Sequence, residues 1–150
     1  MLVNFGKHAG KSLELLMIRE PGYIHWLVQQ AASGPLLALK KEAVALMKKF
    51  DAKPLNVVCH ASTCKLGATR ATVYGDSLAP YYWCANCNPY QSGANAGKLQ
   101  VVSTYAEALA HVEFYCAGRK SDYVEIIRYL ADAKGMPARV GEKQAQFFFA

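Results

Sequence analysis

No stretch of this chain approaches the ~18 consecutive apolar residues that a membrane span requires, so membrane partners fall outside the expectations. The opening residues, MLVNFGKHAGKS, place no apolar run behind a basic start, which points to an unsecreted, cytoplasmic protein. Acidic side chains are scarce: 11 Asp and Glu face 17 Lys and Arg, a formal charge of +6. Glu14, Glu20, Glu42 and Asp51 show no spacing that would assemble a two-metal hydrolytic site. Neither a nucleophile-base pair nor a carboxylate pair emerges elsewhere, and the expectation is a protein that is not an enzyme. Internal repeats are lacking too, which removes solenoids and propellers.

What is present is ordinary for a globular protein, with 53% hydrophobic and 19% charged residues in 150. The basic excess sits early, since residues 1–56 carry eight basic and four acidic side chains, making that end the expected contact for an anionic partner. Residues 2–12 alternate loosely through two glycines and predict a short β-hairpin, after which Ser12 caps a helix over 13–19. Pro21-Gly22 ends that helix and a second follows over 23–30. Beyond Ser33-Gly34-Pro35, the residues Leu36, Leu39, Ala43, Leu46, Met47 and Phe50 recur at helical spacing. The opposite face of this helix carries Lys41 and Lys48, flanked by Lys40 and Lys49, either as a solvated lysine face or as a phosphate-contacting one.

From residue 56 to 90 the helical period gives way to β-branched and aromatic residues between turn signals, and 91–97 (QSGANAG) reads as a connector. Two helices close the chain: 104–116, capped by Ser103 and stacking Tyr105, Leu109, Val112 and Cys116, and 122–134, stacking Tyr123, Ile126, Ile127 and Leu130. Cys116 on that apolar stripe reads as a small buried hydrophobe. Phe147, Phe148 and Phe149 are too apolar for a free tail and are expected to dock on this chain or on a second copy. The fold class is therefore α+β: a hairpin-plus-helices module over 1–56, an inserted β-hairpin with linker over 57–97, and C-terminal helices over 98–150 packing back on the first module.

Cys59 and Cys64 are separated by four residues, Cys84 and Cys87 by two, with nineteen between the pairs. Two tight ligand pairs joined by about a hairpin's length suit one tetrahedral zinc ion, Zn2+, held by four thiolates. Gly67 and Asn88 can relax the backbone after each knuckle so that amides reach sulfur. Two disulfides would suit a secreted chain, a thioredoxin-like dithiol would open a helix where Pro89 follows instead, and His60 is an alternative ligand to Cys59. Residues 58–90 resemble the zinc-ribbon family, which implies a structural metal and says little about purpose. A closed four-cysteine site leaves no coordination position open for catalysis.

Gly6-Lys7-His8-Ala9-Gly10-Lys11-Ser12 is one residue short of a phosphate-binding loop, which excludes that motif. Phe5-Gly6-Lys7-His8-Ala9-Gly10-Lys11, followed by Glu20-Pro21-Gly22-Tyr23-Ile24-His25-Trp26, resembles the small C-terminal domain of exodeoxyribonuclease X-type proteins over residues 3–30. The resemblance implies a hairpin on two short helices with a basic glycine turn facing nucleic acid, and no nuclease residue carries over. Lys7, His8, Lys11, Lys41 and Lys48 are the expected nucleic-acid contacts, with DNA favoured over RNA. Tyr23 or Trp26 can supply a stacking surface, although the simpler reading places Trp26 in the core. The competing function is a protein-interaction adaptor or homodimeric scaffold that self-associates through the apolar tail, its zinc purely structural.

Overall fold

The computed structural model describes every residue except 32, 88 and 90–97, so the connector read at 91–97 and Asn88 lie outside the described residues. Among the described residues six α-helices surround a mixed core and one three-stranded antiparallel sheet stands against it, an α+β architecture.

The first twelve residues close on themselves without forming strands. Val3 N–H donates to the Lys11 carbonyl at 2.9 Å and Gly10 N–H to the Val3 carbonyl at 2.8 Å, and Leu2 and Ser12 make a single antiparallel bridge. Between them Gly6–His8 curl into a 3-10 turn, with Gly6 at φ +72° and Gly10 at φ +86°. Those left-handed positions, open to glycine at little cost, spend the segment on a tight loop, so the expected hairpin shrinks to one bridge.

Helix α1 (Leu13–Arg19) is capped as expected: Ser12 Oγ accepts from the Leu15 amide at 3.1 Å. It is the central rod of the fold, burying Leu13 and every residue from Leu15 to Ile18. Helix α2 (Pro21–Gln29) starts two residues before the expected position, because proline at the first turn lacks only an N–H that would be unbonded anyway. Helix α3 (Gly34–Ala52) buries Leu39, Ala43, Leu46 and Phe50, the stripe its periodicity dictates.

Strand β1 (Arg70–Tyr74) lies between β2 (Tyr81–Trp83) and β3 (Leu99–Val101), with Arg70 opposite Trp83 and Tyr74 opposite Leu99. The third strand is absent from the sequence reading: three residues after a connector carry too little pattern to be recognised alone. Ala71, Val73 and Val102 carry the sheet into the helical core, while Tyr82 Oη donates to the Tyr129 carbonyl at 3.1 Å from its far edge.

Helix α4 (Tyr105–Tyr115) begins with a reciprocal capping box in which Thr104 Oγ1 accepts from Glu107 N–H at 3.1 Å and Glu107 Oε1 from Thr104 N–H at 3.0 Å. Ser103, expected as the cap, instead accepts from the Ala71 amide and ties helix to sheet. Thr104→Ala should therefore lower the unfolding free energy by about 1 kcal/mol, read as a lower urea midpoint at unchanged slope.

Helix α5 (Lys120–Ala133) buries Tyr123, Ile126, Ile127 and Leu130. Its end returns to α3: the Lys134 ammonium, itself buried, donates to the Phe50 and Lys53 carbonyls at 2.9 and 2.8 Å, satisfying acceptors that a helix terminus leaves open. The apolar tail forms a helix of its own, α6 (Glu142–Phe149), packed on α1 and α3. It buries Phe148 and Phe149 in this chain and leaves Phe147 84% exposed.

Candidate metal centre and basic tract

Cys59, Cys64, Cys84 and Cys87 come together, their sulfurs all within 4.8 Å of one another, close enough to hold one metal ion. None is paired in a disulfide, and Cys64 and Cys84 stand 3.7 Å apart, Sγ to Sγ. Bonds of 2.3 Å to a tetrahedral centre put sulfurs about 3.8 Å apart, so this edge already has the length a metal would impose.

The local backbone explains why the sulfurs stay there. Amides of Ala61, Leu66 and Asn86 donate to Cys59, Cys64 and Cys84 respectively, each two residues beyond its cysteine. The relaxing role expected of Gly67 is not needed, for its φ is not positive and it pairs with Val58 in an isolated bridge. Hydrogen bonds from the backbone at Asn86, together with those from Cys87, draw the Cys84 thiol down to about 6, which makes it a thiolate at neutral pH. The backbone at Cys84, and then at Ala61, lowers Cys59 in turn. His60 does not replace Cys59: its ring packs over Tyr81 and Trp83, with centroids at 4.5 and 5.3 Å.

Arg70 escaped the sequence reading, yet it braces the second knuckle. Its Nε donates to the Cys84 carbonyl at 3.1 Å and its terminal nitrogen to the Cys87 carbonyl. Only its position at the start of the strand between the two pairs could have signalled this role.

The remaining candidate residues separate. Lys7 and Lys11 are exposed on the N-terminal loop and Lys41 and Lys48 on α3, but His8 is 4% exposed, edge-on to Tyr23 at 4.7 Å. Burial removes His8 from the phosphate-contacting set and holds its pKa below the usual value of 6.5, against the opposing pull of Glu20. The unfolded chain therefore takes up the proton first as pH falls through 6.5, and stability declines below that point. His8→Phe abolishes this uptake, and its urea midpoint should fall less than that of the parent between about pH 7.5 and about pH 5.5. Trp26 reverses its core expectation, standing 46% exposed.

Three adjoining hollows gather Lys7 with five cations that no motif had singled out: Arg19, Arg119, Lys120, Arg128 and Arg139. One, of about 610 Å³, is lined by Arg19, Arg128 and Arg139 along with Glu20 and Val124. A second, of about 480 Å³, shares Glu20 and brings Lys7, His8, Tyr23, Trp26, Lys120 and Tyr123. The third, of about 620 Å³, shares Lys120 with the second and Val124 with the first, and adds Arg119 and Glu125. Six basic side chains thus face two acidic ones; Glu20 is engaged by Lys120 at 3.1 Å, and Arg128 by Asp132 at 3.1 Å and by the Pro137 and Ala138 carbonyls. The tract joins α1 and the N-terminal loop to α5, while Lys11, Lys41 and Lys48 line none of it.

Cys116 Sγ lies 3.5 Å from His111 Nε2, but that nitrogen is also 2.8 Å from the Ser77 carbonyl, which can only accept. The imidazole therefore donates there and has no lone pair at Nε2 to take a thiol proton. Among the described residues no helix is long and apolar enough to cross a membrane. Comparison with protein-family models, with curated proteins and with solved structures finds no match for this chain.

Proposed function

We propose that this chain is a non-catalytic, zinc-stabilised accessory protein that binds nucleic acid across the basic tract between α1 and α5. The observation that carries this reading is the convergence of Lys7, Arg19, Arg119, Lys120, Arg128 and Arg139 around hollows with an aromatic wall at one end. Cations that track a phosphate backbone beside rings that can stack bases are the two components of strand binding. Residues 3–30, with their resemblance to the exodeoxyribonuclease X-type C-terminal domain, supply Lys7, Arg19, Tyr23 and Trp26 to that tract.

Zinc is the ion that four thiolates in a closed set favour, and its part is structural because a fourth protein ligand leaves no position for substrate. It holds the turns at 59–64 and 84–87 together. The sheet meets the helices through β3 on α4 and through the Tyr82 hydroxyl on the Tyr129 carbonyl of α5.

A titration of the zinc-loaded chain against duplex DNA, single-stranded DNA and RNA at about 50 and about 200 mM salt tests the reading, because neutralised phosphates make affinity fall steeply with salt. Absence of binding to all three at the lower salt would remove it. One observation favours the adaptor alternative: Phe147 stands 84% exposed beside a hollow lined by Phe148, Lys53 and Lys143. If that face pairs two copies, Phe147→Ser converts a dimer to a monomer in light scattering.

A further inference from the structure

We infer that the hollow of about 480 Å³ walled by Tyr23, Trp26 and Tyr123 is a pocket for one unpaired nucleotide of a single strand, its base stacked on Trp26 and its phosphate at the rim between Lys7 and Lys120. This rests on the nucleic-acid reading above and names the part of the strand that the end of the tract receives.

The rings come first. Tyr23 and Trp26 lie 5.6 Å apart at 30°, and Trp26 leaves 46% of its surface open although the helix carrying it packs on the core. A tryptophan that fills no core and caps no interface within the chain is a free π-face at the mouth of a concavity. The concavity has the dimensions of a small-molecule site, and Gly22 and the Tyr123 ring form part of its wall.

His8 supplies the second, independent observation. Both its ring nitrogens are buried and neither has a hydrogen-bond partner. Buried polar atoms are bonded in roughly 90% or more of cases, so an imidazole in the wall of a pocket with both nitrogens unpartnered and closed to solvent lacks its partner, and a base edge reaches it once the wall shifts. Its surroundings keep it neutral, and a neutral imidazole presents one donor and one acceptor, the pattern of a base edge rather than that of a phosphate.

Charge orders the ligand within the site. Glu20 shares the wall, so an anion deep in the pocket meets a carboxylate, whereas Lys7 is exposed at the surface and Lys120, though paired with Glu20 at 3.1 Å, keeps 68% of its side chain exposed. The base therefore enters and the phosphate stays outside. A paired base within a duplex cannot reach such a wall, because its faces are covered by its neighbours.

The test uses the full zinc-loaded chain and fluorescence anisotropy with a labelled 12-nucleotide single strand, its duplex, and the same strand built of abasic units. The single strand should bind about tenfold more tightly than the other two. Trp26→Ala, at an exposed position that leaves the fold alone, should cut single-strand affinity by about tenfold, the loss of one stacked base, and spare the duplex. His8→Phe should narrow the same preference. Equal binding of single strand, duplex and abasic strand, or a preference indifferent to Trp26→Ala, overturns the pocket while leaving the tract intact. Failure of every probe at low salt overturns both readings.

Discussion

Serine at position 84 is expected to cost the chain its metal and the order of the two knuckles and β2, while α1 to α6 persist. Cys84 is the ligand whose loss discriminates best. It is buried, it is the thiol most strongly acidified, to about 6, and amides at Asn86 and Cys87 converge on it. A serine hydroxyl fills nearly the same space and does not ionise at neutral pH, so the donor set falls to three without a packing defect.

The reason for a large effect lies in what else holds that region. Between 57 and 69 the only buried apolar residues are Cys59 and Ala68, and the only ladder contact is the bridge from Val58 to Gly67. Burial of that extent cannot offset the entropy of ordering a dozen residues at roughly 1–2 kcal/mol each. A structural zinc supplies on the order of 10 kcal/mol in small zinc-dependent peptides. Mass spectrometry under native conditions should find one ion per parent chain and none on Cys84→Ser. Amide exchange should become unprotected over the knuckles and β2, with far-UV helical signal retained. One bound ion and unchanged exchange in the variant would end the structural-zinc reading.

The second large effect concerns charge. Arg19→Glu combined with Arg139→Glu is expected to weaken nucleic-acid binding by about a hundredfold at low salt and to flatten the log-log salt dependence by ~1.4–1.8, since two phosphate contacts are lost at ~0.7–0.9 each. Both arginines are exposed, and neither meets a carboxylate among the described residues, so the reversal leaves the fold intact. Lys41→Glu with Lys48→Glu is the matched control: the same change in charge, on the α3 face away from the hollows, should alter affinity no more than about threefold, through the general field alone. If the α3 pair proves as damaging as the arginine pair, the strand runs along α3 and the tract is not the interface.

Helix α3 was legible because six buried or half-buried positions from Leu36 to Phe50 repeat the helical period within one segment. Ser12 was legible as a cap for the same reason, its partner Leu15 being three residues away. The choice between Ser103 and Thr104 was not, since both satisfy the local rule and only the arrival of the Ala71 amide assigned Ser103 to the sheet. Strand β3 depends likewise on β1, twenty-five residues back, for its pattern of bonds.

Spacing along the chain was enough to bring four cysteines to one point, to specify α+β architecture, and to send the phenylalanine tail into a docked position, because each follows from residues near one another or from the cost of exposing apolar surface. Tertiary packing alone decided that His8 is buried, that Trp26 is exposed, and that the cations facing a common surface come from both ends of the chain. Arg19 and Arg139 lie 120 residues apart and meet only when α5 and α6 close over α1. Charge density read along a sequence measures neighbours in the chain, whereas a polyanion responds to neighbours in space, and those are set by which helix faces the core has consumed.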